Sequence, residues 1–403
     1  MSPIVLLLGA LVVASWVYWV VAWAAVRRLL RRPAAPAPVV LPPVSLLKPV
    51  RGVDAGAREN FASFFRQDYP AEIEILFGVE DPGDEAIPVV ERLRREFPAV
   101  RARLVVAPAG GPRGANHKAC LLEALARQAR HDVLVAADAD MRVDRDYLRR
   151  VVGALGPYTG LVTCPYRGEE PRTLAARLEA LHMGVTFLPS AVLAGDVLGM
   201  PIAMGATIAL RRAELDAIGG FAAVAGHLAD DYQVGARVAA TGRRVVLSPY
   251  VVRSVLGATG LRELWHREVR WSRCARVSRP AGQLGYGLTF SAPLAAAFCA
   301  ATGFGPAGWA ALAASLAVRW AVAAAVARET GDGASLAALP LLPLRDLLGA
   351  AVWVAALLGR RVVWRGEAFD VDDDGLLRPR ATVRELPAEL PGARAGDSAG
   401  KVL

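Results

Sequence analysis

From Ile4 to Val26 the chain runs without a single charged residue. As a helix this stretch is roughly 35 Å long, sufficient to cross a bilayer. Trp16, Tyr18, Trp19 and Trp23 gather in its second half, where an interfacial belt would lie. A cleaved leader carries its positive charges before the apolar run. Here Arg27, Arg28, Arg31 and Arg32 follow it instead. The pattern predicts an uncleaved anchor over residues 1–32, with the domain that follows in the cytoplasm.

The rest of the chain is also more apolar than an ordinary soluble enzyme. Apolar residues make up 54% and charged residues 21% of 403, with a mean hydropathy of +0.34. The net charge of +9 comes from arginine. Aromatic-rich RNA-binding signatures are missing, so nucleic acid is excluded as a partner in favour of membrane lipid and a phosphate-bearing substrate. Cys120, Cys164, Cys274 and Cys299 are scattered, with neither metal spacing nor a disulfide framework.

Pro33, Pro36, Pro38, Pro42 and Pro43 make residues 33–43 a stiff linker. Beyond it strand and helix patterns alternate. Strands are expected at Val44–Val50, Glu72–Val79 and Arg101–Ala107, and helices at Ala57–Arg66, Glu85–Phe97 and Ala115–Arg130. This is the pattern of a doubly wound parallel α/β sheet, although the first strand-to-helix turn lacks GxGxxG. From Arg149 it becomes mixed, with strands at Gly160–Cys164, Ala206–Leu210 and Arg244–Ser248 and a long helix at Arg172–Pro189. Residues 44–258 form the expected catalytic unit.

Residues 259–280 hold a basic amphipathic helix, Leu261–Val277, suited to an anionic membrane surface. Residues 281–360 carry further membrane segments: Leu284–Thr302 and Pro306–Ala327 as a hairpin, then Leu336–Leu358. Arg345 and Asp346 interrupt the last, which reads as interfacial or re-entrant. Residues 361–403 are expected to be a short hairpin, Val362–Arg365 with Glu367–Val371 hinged at Gly366, and a mobile tail.

The chemistry centres on His131–Asp140, a short buried strand ending in Asp138-Ala139-Asp140. Ligands of open parallel sheets sit at the carboxyl ends of strands. Two hard oxygen ligands two residues apart suit Mg²⁺ or Mn²⁺ shared with phosphate oxygens, while a solvated turn is the plainer alternative. In Arg267-Glu268-Val269-Arg270-Trp271, helical spacing puts Arg267, Arg270 and Trp271 on one face, where the guanidiniums clamp a pyrophosphate or meet lipid headgroups. For Arg273 and Arg276 the headgroup reading is preferred. Asp230-Asp231 is either a helix N-terminal pair or, at Asp231, a general base. Asp81 forms a turn before Pro82 or accepts from a nucleoside. Asn116 and Lys118 meet a phosphate or hold their loop. His227 is kept with Asp230 on the acceptor side; His117, His182 and Met204 are read as structural.

Together these pieces resemble the family-2-like glycosyltransferases, and most closely the ceramide glucosyltransferase branch. The motifs are Val79-Glu80-Asp81-Pro82, Asn116-His117-Lys118, Asp138-Ala139-Asp140-Met141-Arg142-Val143, Leu228-Ala229-Asp230-Asp231-Tyr232 and Arg267-Glu268-Val269-Arg270-Trp271. The likeness covers Val44 to Trp271 and the membrane arrangement on both sides. In this branch the first position of the last motif is Gln or Arg, and Asp-Asp stands here where Glu-Asp is frequent. Within the branch, the Val-Val-Trp-Arg-Gly hairpin is similar to bacterial hopanoid-biosynthesis glycosyltransferases, which attach N-acetylglucosamine to a hopanoid polyol.

The resemblance implies a GT-A (Rossmann-like) fold on the cytoplasmic side of a bacterial inner membrane, in a multi-pass protein. It implies a UDP-sugar donor with Asp81 at the nucleoside, Asp138 and Asp140 holding the metal–diphosphate, Asp231 as base, and Arg270 with Trp271 closing the site. The expected reaction is inverting transfer of N-acetylglucosamine or glucose to a membrane lipid, a hopanoid polyol first and ceramide second. A non-catalytic membrane scaffold on a degenerate fold is the alternative from another class, and a polysaccharide synthase a third. No oligomeric state is read from the sequence.

Overall fold

The computed structural model describes residues 2–33, 40–107, 114–364 and 367–380. The expected hinge at Gly366 and most of the expected tail lie outside the described residues. In chain order the strands are β1 (Val44–Pro49), β2 (Ile73–Val79), β3 (Arg101–Val106), β4 (Val133–Ala136), β5 (Met141–Arg142), β6 (Thr159–Thr163) and β7 (Tyr166–Pro171). Then come β8 (Ile208–Arg211), β9 (Arg244–Leu247), β10 (Val252–Gly257), β11 (Arg361–Trp364), β12 (Glu367–Val371) and β13 (Leu377–Pro379).

The central sheet has the order β3-β2-β1-β4-β8-β6-β9. Its first four strands run parallel and are joined by the helices Ala57–Phe65, Ala86–Glu96 and His117–Gln128. The doubly wound pattern ends there, because β8 is antiparallel to both β4 and β6. The chain leaves and re-enters the sheet at one end: Thr163, the last residue of β6, faces Ile208, the first of β8, and Ile208 also faces Ala136. Everything between Thr163 and Ile208 is therefore an excursion over the carboxyl ends of β1 and β4, the switch point where ligands bind in such sheets.

Alternation of side chains along the strands divides the core between two faces. Leu46 and Val135 pack with Phe61, Phe64 and Phe77, whereas Leu47 and Leu134 pack with Leu122, Leu125 and Val234. A smaller sheet, β5-β10-β7, stands beside the carboxyl edge, and β11-β12-β13 forms a third. β7 and β10 were absent from the sequence reading because Arg167, Glu169, Glu170 and Arg253 break any apolar alternation.

Among the described residues four helices, Pro3–Leu30, Leu174–Val197, Pro306–Glu329 and Gly333–Leu358, are long and apolar enough to cross a membrane. The pair Pro280–Thr289 and Ser291–Ala301, bent by 70°, makes a fifth if taken as one span. Trp19, Ala22, Val26 and Leu29 of the first helix face inward, while Leu6, Leu7, Val13 and Val17 stay exposed. Helix contacts are supplemented by hydrogen bonds from Trp16 Nε1 to Ser315 Oγ at 2.8 Å and between the hydroxyls of Ser15 and Ser291 at 2.6 Å.

Two expectations change here. Arg345 and Asp346 do not interrupt Gly333–Leu358 as a candidate span, because both are turned inward. Arg345 donates to Glu268 at 2.5 Å and Arg319 to Asp346 at 3.2 Å, all four side chains being buried. Arg273 and Arg276, expected at lipid headgroups, also have protein partners. They donate to Ala355 O at 3.1 Å and Leu357 O at 3.3 Å, the free carbonyls that end helix Leu342–Leu358.

Candidate active site

β4 stops at Ala136, and Asp138-Ala139-Asp140 crosses the carboxyl edge of the sheet. Asp138 N donates to Gly205 O at 3.3 Å, and Gly205 N donates to Asp231 Oδ2 at 3.0 Å. The two peptide groups flanking one glycine therefore link the Asp138 backbone to the Asp231 carboxylate. A Cβ on Gly205 would stand 2.6 Å from Lys118 Nζ and 2.8 Å from Asp138 Oδ2. Any side chain here would have to push the Lys118–Asp138 pair aside.

Lys118, the second residue of the helix His117–Gln128, pairs with Asp138 Oδ1 at 2.5 Å. Burial by itself would lower the Lys118 pKa; the carboxylates of Asp138, Asp230 and Asp231 outweigh it and hold the ammonium above its usual value. Lys48, at the end of β1, donates to Asp138 O at 2.5 Å, and burial brings its pKa down to about 7. Asp140 accepts from Ser254 Oγ at 2.6 Å, with its pKa pushed up to about 6 by burial and then by Asp138. Asp231, in the first turn of helix Asp230–Ala240, is pushed up to about 6 by burial and then by Asp230.

All of these groups except Lys48, which is buried behind them, line one cavity of about 1110 Å³. Asp138, Asp140, Asp230, Asp231, Lys118 and Arg270 occupy its polar part, with Trp271 beside them. The same cavity continues to Tyr286, Phe290, Val352 and Trp353 of the apolar segments. Trp271 stacks on His182, ring centroids 6.1 Å apart at 15°. Carboxylates separated in sequence thus share one space with the arginine–tryptophan pair.

Not every expected residue lines this cavity. Asp81 is not on the cavity wall; its Oδ1 accepts from Gly83 N at 2.8 Å in a turn, and Glu80 lines the cavity instead. Asn116 is fully buried, capping its helix through Ala119 N at 3.1 Å and donating to His227 O at 2.9 Å. His227 itself is not among the lining residues. Arg267 reaches the wall, but its guanidinium is taken by Glu179 at 2.8 Å and by Glu263. Conversely, His117, His182 and Met204, read as structural, all line the cavity. His117 Nδ1 lies 3.0 Å from Glu80. Tyr166, Gly205 and Ser254 went unnoticed because none belongs to a charged or Gly-rich motif.

Among the described residues no group of three or more His, Cys, Asp or Glu side chains is arranged to hold a metal. Asp138 and Asp140 alone suit a hard cation whose other positions come from donor phosphates and water, not an all-protein cage.

A family model described as glycosyl transferase family 21 matches residues 5–377. Ceramide glucosyltransferase 3 of Caenorhabditis elegans is 26% identical over 233 residues, covering 57% of this chain and 50% of that protein. A ceramide glucosyltransferase of Gibberella zeae is 31% identical over 175 residues, 40% of this chain and 33% of that one. The chain spans half or less of the length of these curated relatives. The mannosyltransferase PcManGT from Pyrobaculum calidifontis, solved in complex with GDP-Man and Mn²⁺, covers 88% of this chain and 97% of its own, with 23% identity and a TM-score of 0.50. That likeness carries the fold, which is the GT-A arrangement.

Proposed function

Because the chain belongs to glycosyl transferase family 21, we propose that it transfers a sugar from a UDP-sugar, N-acetylglucosamine or glucose, to the hydroxyl of a membrane lipid. A hopanoid polyol is the first candidate acceptor and ceramide the second. The observation that carries this reading is the single cavity that joins Asp138, Asp140, Asp231 and Arg270 to Tyr286, Phe290 and Trp353 of the apolar segments. A polar donor and an apolar acceptor can then meet without the acceptor leaving the bilayer.

In this mechanism Arg270 and Lys118 supply positive charge toward the donor diphosphate. Mg²⁺ or Mn²⁺ held by Asp138 and Asp140 would offset charge developing on the leaving group. Asp231 takes the proton of the acceptor hydroxyl as the oxygen attacks the anomeric carbon. Its pKa of about 6 keeps it ionised at neutral pH yet more basic than an exposed aspartate. The sugar–phosphate bond breaks in the same displacement, so the product carries the inverted linkage. Arg27, Arg28, Arg31 and Arg32 after the first apolar helix support a catalytic domain on the cytoplasmic side, which in this reading is that of a bacterial inner membrane.

The test is transfer of radiolabelled sugar from UDP-N-acetylglucosamine or UDP-glucose into lipid extract by the detergent-solubilised chain. Incorporation into an organic-extractable product that needs Asp231 supports the reading. UDP-sugar binding without turnover, across hopanoid polyols, ceramides and other hydroxylated lipids, would replace it with a scaffold role.

A further inference from the structure

The sheet β11-β12-β13 lies far along the chain from the carboxylate motifs, yet it touches three of them. Arg270 stacks over the Trp364 ring with its guanidinium carbon 5.0 Å from the centroid, and both residues line the cavity. Glu367 Oε2 lies 3.7 Å from His117 Nε2, beside Lys118. The turn before β13 is tied to the loop that delivers Asp230 and Asp231: Leu228 N donates to Gly375 O at 2.9 Å, and Leu377 N to Gly226 O at 2.8 Å. Leu228 also shares an apolar cluster with Val362, Phe369, Val371 and Leu377.

We infer that this sheet is part of the active site and that Trp364 is a positioning residue, holding the Arg270 guanidinium toward the donor diphosphate. An arginine side chain has several rotamers of similar energy; an aromatic face beneath the guanidinium favours one, and because it contacts the face of the cation it does not compete with phosphate oxygens for the N–H groups at the edge. The stack thus lowers the ordering cost of the clamp before donor arrives. This inference rests on the transferase reading above.

The experiment is steady-state transfer from UDP-N-acetylglucosamine or UDP-glucose by the full chain in detergent, comparing Trp364→Ala and Trp364→Phe in two backgrounds, unchanged and Arg270→Lys. Trp364→Ala is expected to lower kcat/KM for the donor about 10-fold in the unchanged background and less than about 2-fold beside Arg270→Lys. Trp364→Phe, which keeps an aromatic face, is expected to retain most activity. KM for the lipid should stay within about 2-fold in every variant. Equal losses in both backgrounds, or a phenylalanine as poor as alanine, would reduce Trp364 to packing and overturn the inference. If Trp364→Ala does not fold, Trp364→Leu, apolar but without an aromatic face, replaces it in the two backgrounds: a loss that disappears beside Arg270→Lys supports positioning, and an equal loss in both, or none, overturns it. An unchanged chain that transfers neither sugar would sink the transferase reading and this inference with it.

Discussion

Asp138 and Asp231 lie 93 positions apart in the chain, and the backbone of Gly205 bonds to both. The N–H of Asp138 reaches the Gly205 carbonyl, and the Gly205 N–H reaches the Asp231 carboxylate. The backbone at Asp138 and the carboxylate of the proposed base are therefore both tied to the two peptide groups that flank one glycine Cα.

That arrangement makes Gly205 sensitive to a single methyl group. In Gly205→Ala the new Cβ meets Lys118 Nζ and Asp138 Oδ2 at under 3 Å. The variant is expected to lose about 1–3 kcal/mol of stability and at least about 10-fold in kcat. Thermal unfolding and transfer rate, measured on one preparation, check both numbers. An unaffected Gly205→Ala would show that Asp138 and Asp231 are not linked in this way.

Removal of the Asp231 carboxylate separates chemistry from binding. Asp231→Asn keeps an acceptor for Gly205 N but has no basic oxygen of comparable strength, so transfer should fall at least about 100-fold. Donor affinity, measured by calorimetry, should stay within about threefold. Burial raises the Asp231 pKa, so the folded chain binds this proton more tightly than the unfolded one, and the contribution to stability falls as pH rises through about 6. At pH 7 Asp231→Asn should therefore have a Tm no lower than the parent.

The same shift sets a pH profile. With Asp231 titrating near 6, kcat/KM should fall about tenfold per unit on the acid side of that value. The fall comes from protonating the base. An exposed aspartate would move the limb to about 4, and a limb there would remove Asp231 from the role of a buried base.

Metal dependence should follow the donor. With two carboxylates and no third ligand side chain among the described residues, Mn²⁺ alone is expected to bind weakly, and UDP-sugar to tighten it at least about 10-fold. Electron paramagnetic resonance of Mn²⁺, with and without UDP-sugar, reads this directly. EDTA should stop transfer and Mg²⁺ or Mn²⁺ restore it. Tight Mn²⁺ binding to the free protein would contradict the shared-ligand arrangement.

The buried pair Arg319–Asp346, whose aspartate lines the apolar end of the cavity, offers a test of stability rather than of chemistry. Its partners are 2% and 3% exposed, and Arg319 also lies over the Trp19 ring at 3.9 Å. Arg319→Met alone leaves an uncompensated carboxylate and should cost about 3–5 kcal/mol, whereas Arg319→Met with Asp346→Leu should recover much of that loss. Thermal unfolding in detergent distinguishes the two. Additive losses would mean that the charges act independently.

Local pattern was enough for much of this molecule. Strand and helix periodicity located β1 to β4 and the helices between them to within a few residues, and a charge-free run located the first apolar helix, because those signals are set by neighbours along the chain. The motif residues Lys118, Asp138, Asp140, Asp231, Arg270 and Trp271 do share one cavity. Which side chains reach that cavity was settled only by folding. Asp81 turned into its own loop, Asn116 into a helix cap, and Arg267 onto Glu179 while still lining the wall. Sequence spacing does not rank such partners against the site. The packing of β11-β12-β13 against Arg270, His117 and Leu228 was likewise invisible, since contacts between segments far apart in sequence depend on the path of the whole chain. Residue type made these side chains capable of the chemistry; tertiary contacts, each costing or returning desolvation energy, decided which of them face it.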